Sequence, residues 1–170
     1  MKYLLSTLLI AICLFNSNCK TCNTCKYGGL DSVAKVFLPI AGSRCIMEIE
    51  MGKLATTVTK SKDVRGFADT MIKEHSDALR EYHELMDRYC QKYPLKMLPF
   101  EQKLYDSLKM KPADSFDKAY IGRMVSDHLD AINQFGLAYT YATDSFYKAW
   151  LMKMKMVVTM HYEMAKKLPQ

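Results

Sequence analysis

The clearest pattern in the chain is a helical stripe of apolar side chains between positions 64 and 89. Apolar and aromatic residues recur there at steps of three and four, and charged residues occupy the opposite face. This spacing predicts an amphipathic helix that packs one face into a core. The stripe consists of Val64, Phe67, Met71, His75, Ala78, Tyr82, Leu85 and Tyr89.

Another long helix is predicted just upstream, over a segment that ends near Ser61. Pro39 leaves the beginning of this helix open. It either kinks a helix that starts near Asp31 or occupies the first turn of a shorter one. The stripe of this first helix consists of Met47, Met51, Leu54 and Val58, with Glu48 at its edge.

Two more long helices are predicted in the second half of the chain. One runs from about Ser115 to Tyr139, with Asp114 as its expected N-cap. The other begins after Asp144 and carries a stripe in which Trp150 is a core residue.

The second and third of these helices are joined by a proline-punctuated segment, residues 93–114. A short amphipathic stretch around Phe100–Leu108 predicts a small helix inside it. Because a connection of this length can cross a whole bundle, we expect an all-α, ferritin-like four-helix bundle with one long connection between helices 2 and 3. A simple up-and-down bundle is the alternative topology. The predicted bundle domain covers residues 31–170.

Two nearly repeated phrases place histidines on the apolar faces of these helices. MIKEHSDAL at 71–79 contains His75, and MVSDHLDAI at 124–132 contains His128. Glu48 precedes the first predicted turn by as many residues as His75 follows it, and His128 and His161 flank the last turn in the same way. At about 1.5 Å per residue, both pairs lie roughly 20–25 Å from their turns, in the middle of the bundle. The sequence therefore predicts one layer that contains all four polar side chains.

Burial of three imidazoles and one carboxylate is unfavourable unless these groups satisfy one another. One solution is a closed network in which Glu48 accepts hydrogen bonds from the histidines. The other is a transition-metal ion, zinc or copper, with Glu48, His75, His128 and His161 as its ligands. Both solutions stay open from the sequence alone.

Three methionines offer softer alternative ligands for copper. Met71 and Met124 stand one helical turn before His75 and His128, and Met164 stands three residues after His161. Thioether ligands favour Cu(I). Methionine is also a common core residue, so the same positions fit simple packing.

The carboxylates next to the histidines do not fit di-iron chemistry. Di-iron bundles use Glu-x-x-His, but Ile72, Val125 and Val158 stand three residues before the histidines here. Glu74 and Asp127 project about 100° away from the imidazoles and are predicted to be solvated or inter-helix charges. We expect no catalytic residue set.

The first residues predict export. Lys2 precedes an uncharged run at 3–15, too short to span a bilayer but typical of a secretory signal, residues 1–18. Cys19 stands where a bacterial lipoprotein carries its lipid, and residues 19–30 form a tether. We therefore expect a protein of the bacterial cell envelope, facing the periplasm or in the outer membrane, with the membrane as partner through lipid on Cys19.

Cysteine spacing and charge add further limits. Cys19, Cys22 and Cys25 form a C-x-x-C-x-x-C run, which fits a tether better than a metal site because no fourth ligand lies nearby. Cys45 and Cys90 fall at different heights and are predicted to be two free thiols. The net charge of +6 comes from lysines and arginines scattered among acids, so we expect no nucleic-acid partner.

Four segments of the chain carry a family resemblance: EIEMGKLA (48–55), VRGFADTMIKEHSDA (64–78), FDKAYIGRMVSDHLDAINQF (116–135) and the closing His161-x-x-x-Ala165. Together they resemble a bacterial family of exported, ferritin-like proteins catalogued as domain of unknown function 4142, whose members are often labelled predicted outer-membrane proteins. The resemblance covers about residues 31–168. It implies a ferritin-like bundle with Glu48, His75, His128 and His161 at the recurrent polar positions, and no established activity. Two positions depart from the family pattern. Lys155–Met156 stand where the family often has Leu-Pro in the last helix, and a proline such as Pro39 is unusual in the family's first helix.

The first functional hypothesis is a lipid-anchored envelope protein that binds one metal ion without catalysis. A metal-dependent redox or hydrolytic enzyme is the alternative, and it needs solvent access to the ion. In a third hypothesis the protein is a structural or stress-related envelope module, in which the histidines only maintain the architecture.

Overall fold

Five helices and no strand occur in residues 29–93 and 95–169, the part of the chain that the computed structural model describes. The all-α prediction is confirmed. The helices are α1 (Ser32–Val58), α2 (Lys62–Arg88), α3 (Pro99–Lys109), α4 (Ala113–Tyr141) and α5 (Ser145–Lys166).

Side-chain caps fix the starts of three helices. Asp31, Ser61 and Asp144 each accept a hydrogen bond from the backbone N–H three residues later, at 2.8, 3.3 and 2.8 Å. Such caps satisfy amide groups that have no partner within the helix. Pro39 lies inside α1, which begins at Ser32, so the proline does not start this helix.

The predicted N-cap of α4 is wrong. The helix starts two residues earlier than Ser115, and Pro112 is its N-cap residue without a side-chain hydrogen bond. Asp114 lies in the first turn instead. A carboxylate there is favoured by the partial positive charge of the helix N-terminus, which gives the same residue type a different role.

The helix order creates a crossover. One hydrophobic cluster combines the start of α1, the end of α2, the end of α4 and the start of α5. A second cluster combines the opposite ends of the same four helices. Therefore α2 and α4 run in the same direction, and the segment between them traverses the bundle. The ferritin-like arrangement is confirmed, and the up-and-down alternative is wrong.

Helix α3, which forms the middle of this crossover, is fixed to α1 by buried polar contacts. The Ser43 hydroxyl accepts a hydrogen bond from the backbone N–H of Leu98 at 2.7 Å and donates one to Oε2 of Glu101 at 3.3 Å. Glu101 is only 3% exposed, and its Oε1 atom lies 3.7 Å from Nε of Arg44. These contacts hold the crossover at a fixed height along α1.

The end of α2 corrects one cysteine prediction. Cys90 has a φ of 51°, and the following amide donates back to Met86 O at 2.9 Å, which closes the helix with a Schellman motif. Cys45 is a free thiol as expected, but Cys90 is disulfide-bonded. The height mismatch excluded only a bond between these two residues; it did not test bonds from Cys90 to other cysteines.

The predicted signal (residues 1–18), the lipidation of Cys19 and most of the tether lie outside the described residues. Within the helices that are described, none combines the length and the apolar character needed to cross a membrane.

Candidate metal centre

A polar layer separates the two hydrophobic clusters at the middle of the bundle. It contains one buried side chain from each long helix: Glu48 from α1 (4% exposed), His75 from α2 (7%), His128 from α4 (0%) and His161 from α5 (0%). The apolar stripes place these residues inward, because each occupies a position of the helical period that faces the core.

The three imidazoles lie close together. The ring centroids are 5.0 Å apart for His75 and His161, 5.2 Å for His128 and His161, and 5.7 Å for His75 and His128. One ring nitrogen from each histidine lies within 4.8 Å of the other two. The prediction that the three meet at one height is confirmed, and three buried histidines at these distances could hold a metal ion.

Backbone carbonyls fix the tautomers of two histidines. Nδ1 of His75 lies 3.1 Å from Met71 O, and Nδ1 of His128 lies 2.8 Å from Met124 O. A carbonyl oxygen can only accept, so each Nδ1 carries the hydrogen and each Nε2 of the neutral ring keeps a lone pair. Among the described residues, no hydrogen-bond partner reaches the buried Nε2 of His128.

His161 is held by a carboxylate on a neighbouring helix. Its Nε2 atom lies 2.8 Å from Oε2 of Glu74, so Nε2 donates to the carboxylate. The Nδ1 atom of His161 is then the acceptor, and it too is buried without a hydrogen-bond partner in the described part of the chain. Carboxylate–imidazole pairs of this kind orient many metal-binding histidines.

Glu74 is the site residue that sequence reasoning missed. It was expected to be a solvated or inter-helix charge, and the inter-helix role is the one found. The angle of about 100° from His75 turns Glu74 towards α5, where it contacts His161. The contact between Glu74 and His161 forms because α2 and α5 are adjacent in the bundle. Residue spacing along the chain does not show which helices are adjacent.

Glu48 and His75 form a tight pair. Oε2 of Glu48 lies 2.5 Å from Nε2 of His75 and 3.4 Å from Nε2 of His128. Burial opposes the charge on Glu48, but the adjacent His128 and His75 imidazoles outweigh it and lower the pKa of this carboxyl to about 2. Burial likewise disfavours a charged His75, but Glu48 overcomes this effect and raises the pKa of that imidazole. The carboxylate of Glu48 and the protonated imidazole of His75 therefore stabilise each other.

His128 and His161 stay neutral. Burial lowers the pKa of His128, and the charge on Glu48 only partly opposes this. Burial and the positive charge of His75 lower the pKa of His161 to about 4, against the effect of Glu74. Neutral imidazole is the form that binds a metal ion.

The predicted methionine ligands lie beside the layer rather than in it. Met71 and Met124 are fully buried members of the second hydrophobic cluster, and Met164 is partly buried against it. The first two contribute their backbone carbonyls to His75 and His128. Their side chains cover one side of the polar layer with apolar packing.

A cavity of about 70 Å³ adjoins the other side of the layer. Glu48, Glu74, His75 and His161 form its polar end, and apolar side chains form most of the remaining wall. The sequence gives no sign of a cavity that reaches the histidines, because the space between helices depends on how the side chains of all four long helices pack together. His128 does not contribute to the wall.

Cys45 is a neutral part of this wall. Its thiol donates to the backbone carbonyl of His75 at 3.0 Å. Burial, and secondarily the charge on Glu48, raises the pKa of the thiol far above its ordinary value. The residue is therefore a thiol and not a thiolate at neutral pH.

Comparison with known proteins identifies the family of this chain. A family model described as Domain of unknown function (DUF4142) matches residues 23–168. The chain is a DUF4142 protein. The resemblance inferred from the sequence motifs is thus confirmed. No curated protein matches the chain.

The fold of this DUF4142 protein is also found in a solved structure. The crystal structure of a DUF305 fragment from Deinococcus radiodurans superposes with a TM-score of 0.72 at 9% sequence identity. The match covers 82% of this chain and 97% of the other. At this identity, the likeness concerns the helical fold alone.

Proposed function

We propose that this DUF4142 protein is an exported, lipid-anchored protein of the bacterial cell envelope that binds one transition-metal ion without catalysis. The ligands are His75, His128 and His161, with Glu48 as the fourth. The observation that carries the proposal is a set of three buried ring nitrogens within 4.8 Å of one another. In each ring one nitrogen is already bound to an acceptor, and the second nitrogen is the one that would bind the ion.

A cation satisfies this arrangement better than a hydrogen-bond network does. Glu48, with its lowered pKa, has no hydrogen to donate, and the Nε2 atom of neutral His128 has none either. A network centred on Glu48 therefore satisfies His75 but leaves His128 and His161 each with a buried lone pair. An unsatisfied buried acceptor costs about 1–3 kcal/mol. One metal ion supplies the missing partner to all of them.

The donor set favours zinc. Three imidazole nitrogens and one carboxylate oxygen match the ligand types and number of a tetrahedral Zn²⁺ site. Copper is the second candidate, because imidazole also binds Cu(II) and the methionine sulfurs of Met71 and Met124 would favour Cu(I). Replacement of both methionines by Leu separates the two, since it removes the sulfurs and keeps the apolar volume.

Metal content measures the proposal directly. The protein is exported to the periplasm of a bacterial host, purified without chelator or nickel resin, and analysed by mass spectrometry of the elements. We expect about one ion per chain, retained in the Met-to-Leu variant for zinc and lost in His75→Ala. His83→Ala is the matched control, because His83 lies on the same helix but is exposed. Metal-free protein whose stability is unchanged in His75→Ala would refute metal binding.

Export and anchoring are supported by separate features. Lys2, the uncharged run at 3–15 and Cys19 follow the order of a lipoprotein signal. The disulfide at Cys90 is typical of an oxidising compartment. Labelling with a radioactive fatty acid should mark the wild-type chain in the membrane fraction and leave Cys19→Ser unlabelled. Equal labelling of both would contradict the anchor.

The cavity favours a second candidate, a metal-dependent redox or hydrolytic enzyme. Its polar end reaches His75 and His161, so a reactant could approach an ion held there. The zinc-loaded protein can be compared with His75→Ala in ester hydrolysis, and the copper-loaded protein in oxidation of a phenol. Turnover that disappears with His75 would favour the enzyme over the non-catalytic protein.

A further inference from the structure

The repeated phrases of α2 and α4 give the polar layer two different sides. Each phrase has the form Met-x-x-x-His-x-x-Ala, with Met71, His75 and Ala78 in one helix and Met124, His128 and Ala131 in the other. The two methionines are fully buried on one side of the histidines. Ala78 and Ala131, one turn away on the other side, line the cavity. The layer is thus sealed by large side chains on one side and left accessible by small ones on the other.

The cavity is sized for a very small molecule. One water needs about 10–15 Å³ measured in this way, and an engineered cavity of about 150 Å³ accommodates benzene. A cavity of about 70 Å³ between these limits has room for a few non-hydrogen atoms. A longer molecule would not fit within this volume.

The walls select by polarity. Phe37, Phe135, Trp150 and Met154 lie away from the layer and present apolar surface. At the other end, the carboxylates of Glu48 and Glu74 flank the histidines. Arg44 also lines the wall, but its guanidinium is already paired with Glu101 and Asp130. An anion would face repulsion from these carboxylates and loss of hydration at the apolar walls. A neutral molecule with an apolar body and one lone pair fits both ends.

We propose that the cavity binds a small neutral Lewis base that donates its lone pair to the metal ion, in a pocket left open by Ala78 and Ala131. The inference rests on the proposed metal site and adds the class of ligand that the ion takes. Binding forms one dative bond and raises the coordination number of the ion from four to five, and no electron or proton needs to be transferred.

Cobalt substitution makes both steps visible. Co²⁺ replaces zinc in nitrogen and oxygen sites, and its visible absorption bands report its ligands and coordination number. Cobalt content per chain is measured first, by elemental analysis. The loaded protein is then titrated with imidazole as the neutral base, azide as the anion and 1-butylimidazole as the oversized base, and cobalt content is measured again afterwards.

Substitutions at position 131 test the pocket itself. Ala131→Phe fills the cavity, and Ala131→Val fills it partly and disturbs the fold less. Ala149→Phe and Ala149→Val are matched controls, because Ala149 is exposed on α5. We expect saturable binding of imidazole, at least about tenfold weaker binding of azide and of 1-butylimidazole, and a graded loss of imidazole binding from Ala131→Val to Ala131→Phe.

The outcomes separate the two proposals. If about one cobalt binds per chain but imidazole leaves the spectrum unchanged, or acts equally on the Ala131 and Ala149 variants, the pocket is refuted and the metal site stands. Tighter binding of azide than of imidazole refutes the choice of a neutral ligand. Absence of bound cobalt and zinc refutes the metal site, and the inference with it.

Discussion

The Nε2 atom of His161 lies 2.8 Å from Oε2 of Glu74, a contact that joins α5 to α2 beside the polar layer. The carboxylate fixes the ring so that Nδ1 keeps the lone pair. Glu74 is therefore a positioning residue for His161. It is about one-third exposed, so its replacement leaves no fully buried charge behind.

Glu74→Ala is expected to weaken metal binding by about 10- to 100-fold, because the orientation and basicity of His161 depend on the carboxylate. Competition with a coloured chelator measures the affinity, and circular dichroism checks the helix content. Glu84→Ala, at an exposed position of the same helix, should leave the affinity unchanged. Equal affinities in all three proteins would contradict the positioning role.

Metal binding should release between about one half and one proton per ion at about pH 6.5, the ordinary pKa of an imidazole. The pKa of His75 is raised, whereas the pKa values of His128 and His161 are lowered, so His75 is the imidazole that keeps a proton to the highest pH and loses it to the ion. Calorimetry in buffers of different ionisation enthalpy counts the protons. In Glu48→Gln the pKa of His75 falls, so release should approach zero. Release of two or three protons from the wild-type protein would contradict these charge states.

Asp127→Asn should stabilise the metal-free protein at pH 7.5. Burial and the charge on Glu48 raise the pKa of Asp127 to about 6, although Arg123 and Arg44 oppose the shift. A carboxyl with a raised folded-state pKa stabilises the fold below its unfolded-state pKa, and that contribution is lost as the pH rises through the folded-state value. Chemical unfolding should show a gain on the order of 1–2 kcal/mol at pH 7.5 that vanishes near pH 4. The exposed control Asp69→Asn should show no such pH dependence.

Glu101→Ala should loosen the crossover. The change removes the acceptor for Ser43 and leaves Arg44 without its partner on α3, at a cost of about 2–4 kcal/mol in the free energy of unfolding. Urea unfolding measures this cost, and limited proteolysis should show faster cleavage within residues 92–110. Gln102→Ala, an exposed neighbour, should behave as wild type. No difference between the two variants would mean that α3 is held by apolar contacts alone.

Much of this architecture follows from local rules in the sequence. Ser61 and Asp144 are recognisable N-caps, and the constant helical rise turns residue counts into heights, which is why the heights of His75, His128 and His161 could be predicted. The ends of α4 were less accurate, because Asp114 suits both an N-cap and a first turn.

The sequence does not show which helices are adjacent around the bundle axis or which side chains face one another. Residue counts give a height but no direction, so the contact of Glu74 with His161 was not foreseen. The cavity beside Ala78 and Ala131 depends on four packed helices in the same way. The bond at Cys90 was missed because the height argument considered one partner only.

The polar layer also has a consequence for how the chain finds its native register. The two hydrophobic clusters, one at each end of the bundle, could each tolerate a shift of one helix by one turn, because apolar side chains of similar volume can replace one another in a core. Such a shift would move a histidine out of the polar layer into an apolar cluster, where its ring nitrogens would have no hydrogen-bond partner. Replacing the whole layer by leucines would leave one continuous apolar core and remove the polar side chains that fix the register of each helix.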